Sequence, residues 1–564
     1  MASCDFAPDM HPVLRRVYAA RGLQSGADLD LSLERLLPVG SLEGVDAAAR
    51  LLAEHAAAGR VLVIGDFDAD GATSTALVVR GLRALQFAHV DFLVPNRFRF
   101  GYGLTPEIVA LAATRWPSLI VTVDNGVSSV AGVEAAHDLG IPVLVTDHHL
   151  PGAGLPRAAV IVNPNLPDCG FASTALAGVG VAFYVIAALA RTLGAKDFRA
   201  AELLDLVALG TVADVVPLDR NNRILVAQGL RRIRAGRCVP GILALLESAG
   251  RRHPEITAAD LGFSVAPRLN AAGRLDDMSV GIACLLADEP SEAARLALML
   301  NKLNEERREI EQRMQLEAID IAAGVRFGGE GGDGAEALGL CLFEEGWHQG
   351  VVGLVAGRIK DRWNRPVVAF ARAEDGSLRG SARSIAGVNI RDALDSIATR
   401  HPGLIDKFGG HAMAAGLSMP EASLAAFRTA FAAEIAARAD RESLQGVIYS
   451  DGALTAAELV LDTARVLRGG GPWGQGFPEP VFDGEFQVLD ARLVGGRHLK
   501  MRLRAADEPP GGGIEAIAFG YVGGVCEDPQ LRTGVRLRLA YRLEINEYRG
   551  SESVQLNCQH LALS

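Results

Sequence analysis

Three aspartates follow one short apolar run in this sequence, at a spacing of two residues. The stretch reads VLVIGDFDADG (61–71), and the aspartates are Asp66, Asp68 and Asp70. Carboxylates this close repel one another unless a positive charge lies between them, and a divalent cation usually supplies that charge. We therefore interpret the three residues as candidate ligands of a metal ion.

Two later apolar runs end in similar residue types. The residues are Asp124 in VTVDNG (121–126) and Asp147, His148 and His149 in VTDHH (145–149). A single aspartate in such a place is usually a helix cap or a turn former, and this interpretation also fits Asp214 in LGTVADVVPL (209–218). Acidic residues at three such ends, with two adjacent histidines, are not needed for structure alone and indicate a functional site.

The ligand types favour particular metals. Oxygen-rich ligation with one or two imidazoles favours Mn²⁺ or Mg²⁺, whereas zinc would be expected to recruit thiolates or more histidines. This many carboxylates could hold two ions about 3.5–4 Å apart, which together activate water and stabilise the leaving oxygen in phosphoryl transfer. The aspartate cluster therefore predicts part of a two-metal phosphoesterase site.

Five short runs rich in valine and isoleucine alternate with helix-like stretches between residues 58 and 165. They are RVLVIG (60–65), HVDFLVP (89–95), SLIVTV (118–123), IPVLVT (141–146) and AAVIVNP (158–164). This pattern predicts a parallel sheet covered by helices on both faces. Ligands of such sheets bind beyond the carboxyl ends of the strands, where the acidic residues of this chain fall.

The rest of the chain predicts two further units. The glycine-free stretch from Glu289 to about Ala323 is expected to form a long connecting helix. A second α/β unit follows, with strands in ALGLCLFE and PVVAFAR. RHLKMRLRA (497–505) and VRLRLAYRLEI (535–545) then alternate apolar and polar residues, as half-buried strands do. Their basic face suits a small oligonucleotide-binding barrel, although exposed strand faces are often basic for solubility alone.

Composition and charge limit the functional classes. The chain has 564 residues, 49% of them hydrophobic, which is enough for about three or four domains. No membrane-length apolar segment and no signal-peptide pattern is evident, so we expect a cytoplasmic protein. The seven scattered cysteines fit buried thiols in a reducing compartment. A net charge of −11 argues mildly against coating nucleic acid but permits a local basic groove.

The motifs resemble those of a known family. DFDADG, DNG, DHH and GTVADVVPL, in this order and at the ends of predicted strands, resemble the four motifs of the DHH phosphoesterase superfamily. Downstream segments are similar to those of its bacterial single-stranded-DNA exonucleases. These segments are PNRFRFGYGL (95–104), PRLNAAGRL (267–275), WHQGVVGLVAGRI (347–359), RGSARS (379–384), GGHAMAAG (409–416) and PWGQGFPEP (472–480).

The resemblance implies a fold and a division into domains. The implied fold is α/β, with a parallel-sheet DHH catalytic domain and a second, DHHA1-like α/β domain joined by a long helix and followed by an OB-like β-barrel. The expected bounds are 1–57 for an N-terminal helical segment, 58–288 for the catalytic domain, 289–324 for the helix, 325–440 for the DHHA1-like domain and 447–564 for the barrel.

The resemblance also implies roles for the motif residues. The expected ligands of one Mn²⁺ or Mg²⁺ ion are Asp70, Asp124, His148 and Asp214. The expected ligands of a second ion are Asp68 and, as the bridge, Asp124. Asp66 and Asp147 match motif positions and are expected to serve catalysis, although their direct ligation is left open. His149 is expected to contact the scissile phosphate.

Six further residues are expected to contact DNA or its 5′ phosphate. They are Arg97, Tyr102, Arg274, Ser381, Arg383 and His411. The guanidinium of Arg383 suits a terminal phosphate, and the glycine-rich loop around His411 could cradle an anion with its N–H groups. The ordinary alternatives are a solvated arginine, a glycine-rich turn and, for Tyr102, packing. The basic run RRIRAGR (231–237) is interpreted as a solvated helix face.

The expected function is that of a two-metal-dependent 5′-to-3′ exonuclease that degrades single-stranded DNA to mononucleotides in recombination and mismatch repair. The expected partners are single-stranded DNA, a single-stranded-DNA-binding protein and a helicase, and the protein is expected to be a monomer without membrane contact. One alternative is a DHH-type phosphodiesterase for short oligonucleotides or cyclic dinucleotides, which would not need the β module. Another is a non-catalytic replication scaffold, which would not need the full set of metal-binding residues.

Overall fold

The computed structural model describes residues 5–96, 100–152, 154–326, 338–440, 442–496, 498–506, 512–521, 532–548 and 550–564. Three sheets organise these residues: a five-stranded parallel sheet, a five-stranded mixed sheet and a closed five-stranded barrel. None of the helices in these ranges is both long and apolar enough to cross a membrane.

The first sheet contains all five strands that the valine-rich and isoleucine-rich runs predict. In chain order they are β1 Arg60–Gly65, β2 His89–Leu93, β3 Leu119–Val123, β4 Val143–Thr146 and β5 Val160–Val162, and every pairing is parallel. Side chains of β1 alternate between two cores, since Val61 and Val63 pack in one cluster and Leu62 and Ile64 in another. The predicted burial of both faces is confirmed.

The strand order β2-β1-β3-β4-β5 reverses direction at β1. The chain leaves β1 for β2 on one side, while β3 lies on the other, so a crevice opens where the carboxyl ends of β1 and β3 meet. The loop after β1 carries Asp66 and Asp68, and the loop after β3 carries Asp124. The topology therefore brings these carboxylates to one crevice.

Helices surround this sheet. They are α1 Pro12–Ala20, α2 Val45–Glu54, α3 Ala69–Ala84, α4 Pro106–Ala113, α5 Val130–Asp138, α6 Gly178–Thr192, α7 Leu204–Ala213, α8 Arg220–Arg234 and α9 Pro240–Ser248. After them come α10 Ala258–Asp260, a π-helical turn Leu261–Val265, α11 Ala266–Leu275 and α12 Ser279–Leu286. Helix α6 is apolar nearly all round and contacts α2, α3 and α7, so it forms the centre of the core.

The predicted long helix is α13, Pro290–Arg326. It packs against the second α/β unit, because its Glu317 accepts a hydrogen bond from Trp347 Nε1 at 2.9 Å and its Glu311 pairs with Arg358 at 3.0 Å. Met314 of the same helix is buried in the core of that unit. The helix therefore forms part of the second unit as well as joining it to the first.

The second unit is built on a mixed sheet in the order β6-β7-β8-β10-β9, in which only the β6–β7 pairing is parallel. Its strands are β6 Leu340–Phe343, β7 Val367–Arg372, β8 Ser377–Arg383, β9 Lys407–Gly410 and β10 Ala414–Pro420. Its helices are α14 Val352–Trp363, α15 Ile390–Arg400 and α16 Leu424–Arg438. The two predicted strands are β6 and β7.

The C-terminal unit is a closed barrel in the order β11-β12-β13-β15-β14, preceded by α17 Leu461–Gly469. Its strands are β11 Phe482–Val494, β12 His498–Ala505, β13 Ile514–Ala518, β14 Arg536–Tyr548 and β15 Ser551–Leu563. Leu499, Met501 and Leu503 point into its core, as the alternation of β12 predicts. The expected OB-like barrel is confirmed.

The N-terminal segment and residues 472–478, here called the docking loop, fasten the barrel to the unit that contains the parallel sheet. Arg21 pairs with Asp451 at 2.7 Å, and both side chains are less than a tenth exposed. In the docking loop, the Gln475 carbonyl accepts a hydrogen bond from the Leu218 N–H at 2.6 Å. The barrel thus contacts the segment that follows Asp214.

Candidate metal centre

The loop after β1 presents its carboxylates to the ends of two helices. Asp68 is the N-cap of α3 and accepts a hydrogen bond from the Gly71 N–H at 3.0 Å. Asp70, in the first turn of α3, accepts N–H bonds from Gly178 at 2.7 Å and Val179 at 3.0 Å, where α6 begins. Helix N-termini favour carboxylates because their first N–H groups are unpaired and their dipole is positive there.

Asp124 is held in a backbone conformation that non-glycine residues rarely adopt. Its φ is 61°, and its N–H donates to the Thr146 carbonyl at 3.0 Å. Helix α6 starts directly beside it, because a Cβ at Gly178 would lie only 2.6 Å from the Asp124 Cβ. Such strain persists only where the surroundings enforce it, and here it fixes the direction of the carboxylate.

His148 gathers three carboxylates around one ring nitrogen. Its Nε2 lies 3.1 Å from Asp124 Oδ1, 3.4 Å from Asp214 Oδ2 and 4.0 Å from Asp70 Oδ2. Within the described part of the chain, Asp124 Oδ1 and His148 Nε2 are buried and neither has a hydrogen-bond partner. Buried polar atoms are almost always paired, so two unpaired atoms this close fit ligands of a shared cation.

The possible ligand atoms of this cluster fall into three groups that are linked by Asp124 and His148, each of which belongs to two of them. In each group the atoms lie within 4.8 Å of one another. The groups are Asp70, His148 and Asp214; Asp66, Asp68 and Asp124; and Asp124, His148 and His149. Asp124 belongs to two of these groups, and its bridging role stays a prediction. Asp66 lies beside Asp68 in the second group.

Burial and mutual repulsion disfavour the negative charge of this cluster. Burial raises the pKa of Asp70 and of Asp124 well above the usual value, and neighbouring carboxylates raise both further. The pKa of Asp214 is raised to about 7 by burial and by Asp68. Burial and His149 lower the pKa of His148 to about 4, which leaves a neutral ring able to offer a lone pair. The residues therefore fit Mn²⁺ or Mg²⁺, which would offset the carboxylate charge.

Asp147 and His149 form a hydrogen-bonded pair beside this cluster. Asp147 Oδ1 lies 2.8 Å from His149 Nδ1 and accepts the N–H groups of His148 and His149, while its Oδ2 accepts the Val127 N–H at 2.9 Å. Burial alone would lower the pKa of His149, but the hydrogen bond to Asp147 and the charge of Asp147 raise it to about 9. His149 is thus a cation at neutral pH, with its ring held by Asp147.

Tyr102 and His411 both contact His149. The Tyr102 hydroxyl lies 3.3 Å from His149 Nδ1 and 3.3 Å from the Asp124 carbonyl oxygen, and half of the residue is exposed. His411, which follows β9, stacks on His149 with ring centroids 6.1 Å apart and planes inclined by 15°. The structure therefore brings both predicted residues to the cluster, and His411 extends the second domain to it.

Three more predicted contact residues, Arg274, Ser381 and Arg383, lie against glycines of the second domain. Arg274 Nη1 donates to the Gly350 carbonyl at 3.0 Å. Arg383 Nη1 donates to Ser381 Oγ at 3.1 Å, and a Cβ at Gly353 would approach both side chains within 3 Å. Arg97 lies outside the described residues, so its contact stays a prediction.

Asp214 reaches the cluster from a helix end rather than a strand end, in agreement with the alternative interpretation of this residue as a helix cap. It is the C-cap of α7. A carboxylate is disfavoured at a helix C-terminus by the helix dipole, so a nearby cation would be favoured there. Gly210 allows α7 to pack closely against α3, because a Cβ at this position would lie 2.2 Å from Thr73 Oγ1 and 2.7 Å from Asp70 Oδ1.

Two asparagines that support the site were not identified as site residues from the sequence. Asn270 Oδ1 accepts the Ala69 N–H at 2.8 Å, and Asn165 Nδ2 donates to the His148 carbonyl at 2.6 Å. Both side chains form hydrogen bonds to backbone groups, and a sequence does not show which backbone group a side chain will reach. The segment PRLNAAGRL was a signal for Asn270, whereas nothing in the sequence pointed to Asn165.

Comparison with known families assigns most of the chain to three domains. Residues 60–211 match the DHH family N-terminal domain, residues 336–437 the DHHA1 domain and residues 450–560 the RecJ OB domain. These ranges contain the parallel sheet, the mixed sheet and most of the barrel.

Similar proteins cover nearly the whole chain. The single-stranded-DNA-specific exonucleases RecJ of Dickeya dadantii and Escherichia coli are each 53% identical over 98% of this chain and 96% of their own length. The crystal structure of RecJ from Thermus thermophilus in complex with Mn²⁺ superposes with a TM-score of 0.80, at 33% identity over 98% of this chain and 76% of that chain. A Mg²⁺ complex of RecJ from the same organism gives a TM-score of 0.74, at 31% identity over 98% of this chain and 75% of that chain. With such identity over almost its full length, the chain belongs to the RecJ family of single-stranded-DNA-specific exonucleases.

Proposed function

We propose that this protein hydrolyses single-stranded DNA from the 5′ end to mononucleotides, using two divalent cations at the candidate metal centre. The observation that carries the proposal is the pair of buried, unpaired ligand atoms, Asp124 Oδ1 and His148 Nε2, inside a cluster of carboxylates. Membership in the RecJ family supports single-stranded DNA as the substrate.

The ligand groups suggest how the two ions are held. The ligands of one ion are Asp70, Asp124, His148 and Asp214, and those of the other are Asp66, Asp68 and Asp124. When bound, such a pair of ions activates water for attack on phosphorus and stabilises the leaving 3′ oxygen. The Mn²⁺ and Mg²⁺ complexes of the Thermus thermophilus relative support these two metals.

His149 contacts the scissile phosphate in this proposal. As a cation it donates a hydrogen bond from Nε2 to a phosphate oxygen, and that bond strengthens as negative charge develops there. Asp147 acts as a positioning residue, because both of its oxygens are engaged in holding the ring and backbone of its neighbours. Tyr102 limits the rotation of His149 from one side, and His411 covers it from the second domain.

The second domain sets the polarity of attack. Ser381 and Arg383, together with Arg274 from the first domain, offer a hydroxyl and guanidinium donors suited to a terminal 5′ phosphate. Ser381 and Arg383 contact each other, and Arg274 contacts the second domain at the Gly350 carbonyl. Arg97 is proposed to contribute to the same site. A strand anchored at its 5′ end can present only its first phosphodiester bond to the metal centre, so each turnover releases one mononucleotide.

Substrates with blocked ends test this proposal. Wild-type protein with Mn²⁺ is expected to degrade an oligonucleotide with a bulky 3′ block, to spare the same sequence with a bulky 5′ block, and to spare a closed single-stranded circle. Rapid cleavage of the circle would contradict an end-dependent mechanism. Degradation of the 5′-blocked strand alone would reverse the polarity.

The proposed setting is recombinational and mismatch repair in the cytoplasm. The protein would act as a monomer on strands that a helicase unwinds and that a single-stranded-DNA-binding protein covers. Association with such a protein can be measured by pull-down with the purified partner.

A further inference from the structure

A cavity of about 480 Å³ lies where the segment after Asp214 meets the docking loop. Its apolar lining includes Val212, Val215, Val216, Phe263, Pro472 and Trp473. Two of these side chains face solvent, since Phe263 is 79% exposed and Val215 is 62% exposed. A cavity with such a lining can take a flat apolar group from solution.

Phe263 is exposed by an irregularity of its helix. It lies in the π-helical turn Leu261–Val265, where Leu261 and Val265 are buried. Single π-helical turns are rare in proteins overall, and those that occur are frequently found at functional sites. The turn packs closely on α7, because a Cβ at Gly262 would lie 3.1 Å from Val212 Cγ1. The aromatic ring is therefore held at the surface by a well-packed element.

Arginines line the same cavity. They are Arg231, Arg234, Arg468 and Arg542, against one acidic residue, Glu479, among the described lining residues. Arg542 pairs with Glu479 at 2.8 Å, and Arg468 pairs with Glu547 at 3.1 Å. Burial lowers the pKa of Arg234, the charges of Arg468 and Arg231 lower it further, and Asp260 partly offsets these effects. Arginines that repel one another beside an apolar cavity favour an anionic ligand with an apolar part.

The cavity adjoins the metal centre on the side away from the second domain. Successive contacts lead from His411 to His149, His148 and Asp214. Val215 follows Asp214 directly, has a φ of 62° and lines the cavity. Ser381 and Arg383 belong to the same domain as His411. A strand whose 5′ end lies in that domain would therefore pass the metal centre before it reaches the cavity.

We propose that this cavity is a subsite for a downstream base of the single-stranded substrate, with Phe263 stacked on the base and Arg231 and Arg234 binding the flanking phosphates. Aromatic and cationic side chains together are how proteins hold single strands without sequence preference. The subsite rests on the proposed function and adds a contact on the 3′ side of the scissile bond. It also gives the first half of RRIRAGR a role other than that of a solvated face.

Steady-state kinetics of the full-length protein with Mn²⁺ test the subsite, with a 5′-phosphorylated thymidine 20-mer and the dinucleotide pdTpdT as substrates. Phe263→Ala is expected to raise KM for the 20-mer about 10-fold with kcat unchanged, because one stacking contact is lost. Arg231→Ala is expected to raise KM and to reduce the slope of log KM against log salt by about 0.7, the loss of one phosphate contact. The dinucleotide is too short to reach the cavity, so its kinetics should not change.

Two control variants separate this contact from general surface effects. Trp116→Ala removes an aromatic residue that is also 79% exposed, and Arg237→Ala removes an arginine that lines a different cavity. Both are expected to behave as wild type. Wild-type kinetics for Phe263→Ala on the 20-mer would overturn the subsite and leave the exonuclease function standing. An equal effect on the dinucleotide would also overturn it. A wild-type protein that spares the 20-mer would contradict the proposed function itself.

Discussion

Two buried aspartates at neighbouring strand ends have opposite environments. Asp147 gives both oxygens to N–H donors, whereas Asp124 Oδ1 has no hydrogen-bond partner among the described residues. A carboxylate that is fully hydrogen-bonded orients its neighbours, whereas an unpaired one among other carboxylates is suited to bind a cation. The same residue type therefore has two different proposed functions within one site.

Asp124→Asn tests the ligand role. The substitution removes one charge from a cluster of repelling carboxylates, so the metal-free variant should unfold at a temperature no lower than that of wild type. Wild-type protein should gain about 2.7 kcal/mol when Mn²⁺ is present at 100 times its Kd, and the variant should lose most of that gain. Turnover should fall about 1,000-fold or more, since a metal contributes several kcal/mol to transition-state stabilisation. Thermal unfolding with and without Mn²⁺ measures the first two effects.

A surface substitution serves as the control for Asp124→Asn. Asp91→Asn removes an exposed carboxylate that pairs with Arg115 and should leave the Mn²⁺ effect intact. An Asp124→Asn variant that keeps the full Mn²⁺ stabilisation and wild-type turnover would refute the bridging role.

Asp147→Asn tests the positioning role. The amide can keep part of the hydrogen bonding but loses the charge that supports the His149 cation, so kcat should fall about 100-fold to 10,000-fold. Mn²⁺ stabilisation should be nearly unchanged, because Asp147 offers no oxygen to the cluster. Loss of Mn²⁺ binding equal to that of Asp124→Asn would instead make Asp147 a ligand.

The residue types of this site were identifiable from the sequence, whereas separate roles for its aspartates came only from the family resemblance. The motifs DNG and DHH mark both aspartates, yet only the fold decides which of them meets backbone donors such as the Val127 N–H. Tyr102 is a similar case. It was expected to contact DNA, with packing as the alternative, and its contact with His149 depends on a loop path that the sequence does not define.

At the scale of elements, the site depends on helix ends that meet at short distances. Helix α3 begins with Asp68 and Asp70, and Asp70 in turn accepts the first N–H groups of α6. Helix α6 can start there because Gly178 has no side chain to strike Asp124. The N-terminus of α6 therefore holds the carboxylate of Asp70 in α3, and it also packs directly against Asp124, the strained residue after β3.

Gly178→Ala tests this arrangement, with Gly180→Ala as the matched control in the same helix. At Gly178 the new methyl group would lie 2.7 Å from Asp124 Oδ1, so the variant should lose Mn²⁺ stabilisation and about 1–3 kcal/mol of folding free energy. At Gly180 the methyl group would meet only the flexible end of Leu176, at 3.0 Å, and the higher helix propensity of alanine offsets that contact. Thermal unfolding with and without Mn²⁺ compares the two, and equal behaviour of both variants would contradict the steric argument.

Strands were predictable here and helix ends were not. The five apolar runs indicated the parallel sheet because a strand buried on both faces is apolar without interruption. Asp214 was expected at a strand end, although it caps α7, because a short apolar run such as LVALG fits either element. The π-helical turn around Phe263 was not predicted, since it depends on packing against α7.

At the scale of the whole molecule, the barrel is fixed to the catalytic domain by buried contacts. The Arg21 guanidinium lies between Asp451 and the rings of Trp473 and Phe477, at 5.3 and 6.0 Å from their centroids. Tyr18 adds a hydrogen bond to the Gly470 carbonyl at 2.8 Å. In the proposed function, a barrel fixed in this way guides a long strand towards the metal centre.

Arg21→Ala tests the attachment of the barrel. Removing one partner of a buried ion pair costs about 3–5 kcal/mol, so the barrel should loosen and the protein should become sensitive to proteolysis near residue 451. Activity on a 20-mer should fall more than activity on a dinucleotide. The exposed pair of Arg35 and Asp30 provides the control, since Arg35→Ala should cost less than about 1 kcal/mol. Resistance of Arg21→Ala to proteolysis at the wild-type level would contradict the attachment.

The order of the units along the chain was predictable, but their attachment was not. Alternation in β12 indicated the barrel, and the stretch 289–323 indicated the long helix. Nothing in the N-terminal sequence connects Arg21 to Asp451, because pairing across 430 residues follows from the completed fold.

In the proposed function, the carboxylate and histidine cluster, with its divalent cations, hydrolyses single-stranded DNA at the 5′ end. The most direct measurement is a time course with 5′-labelled single-stranded DNA and chelator-treated protein, with and without Mn²⁺. Labelled mononucleotide is expected to be the first labelled product, without a ladder of intermediates, and to form only when Mn²⁺ is added. A descending ladder of labelled fragments, or equal activity without metal, would contradict this proposal.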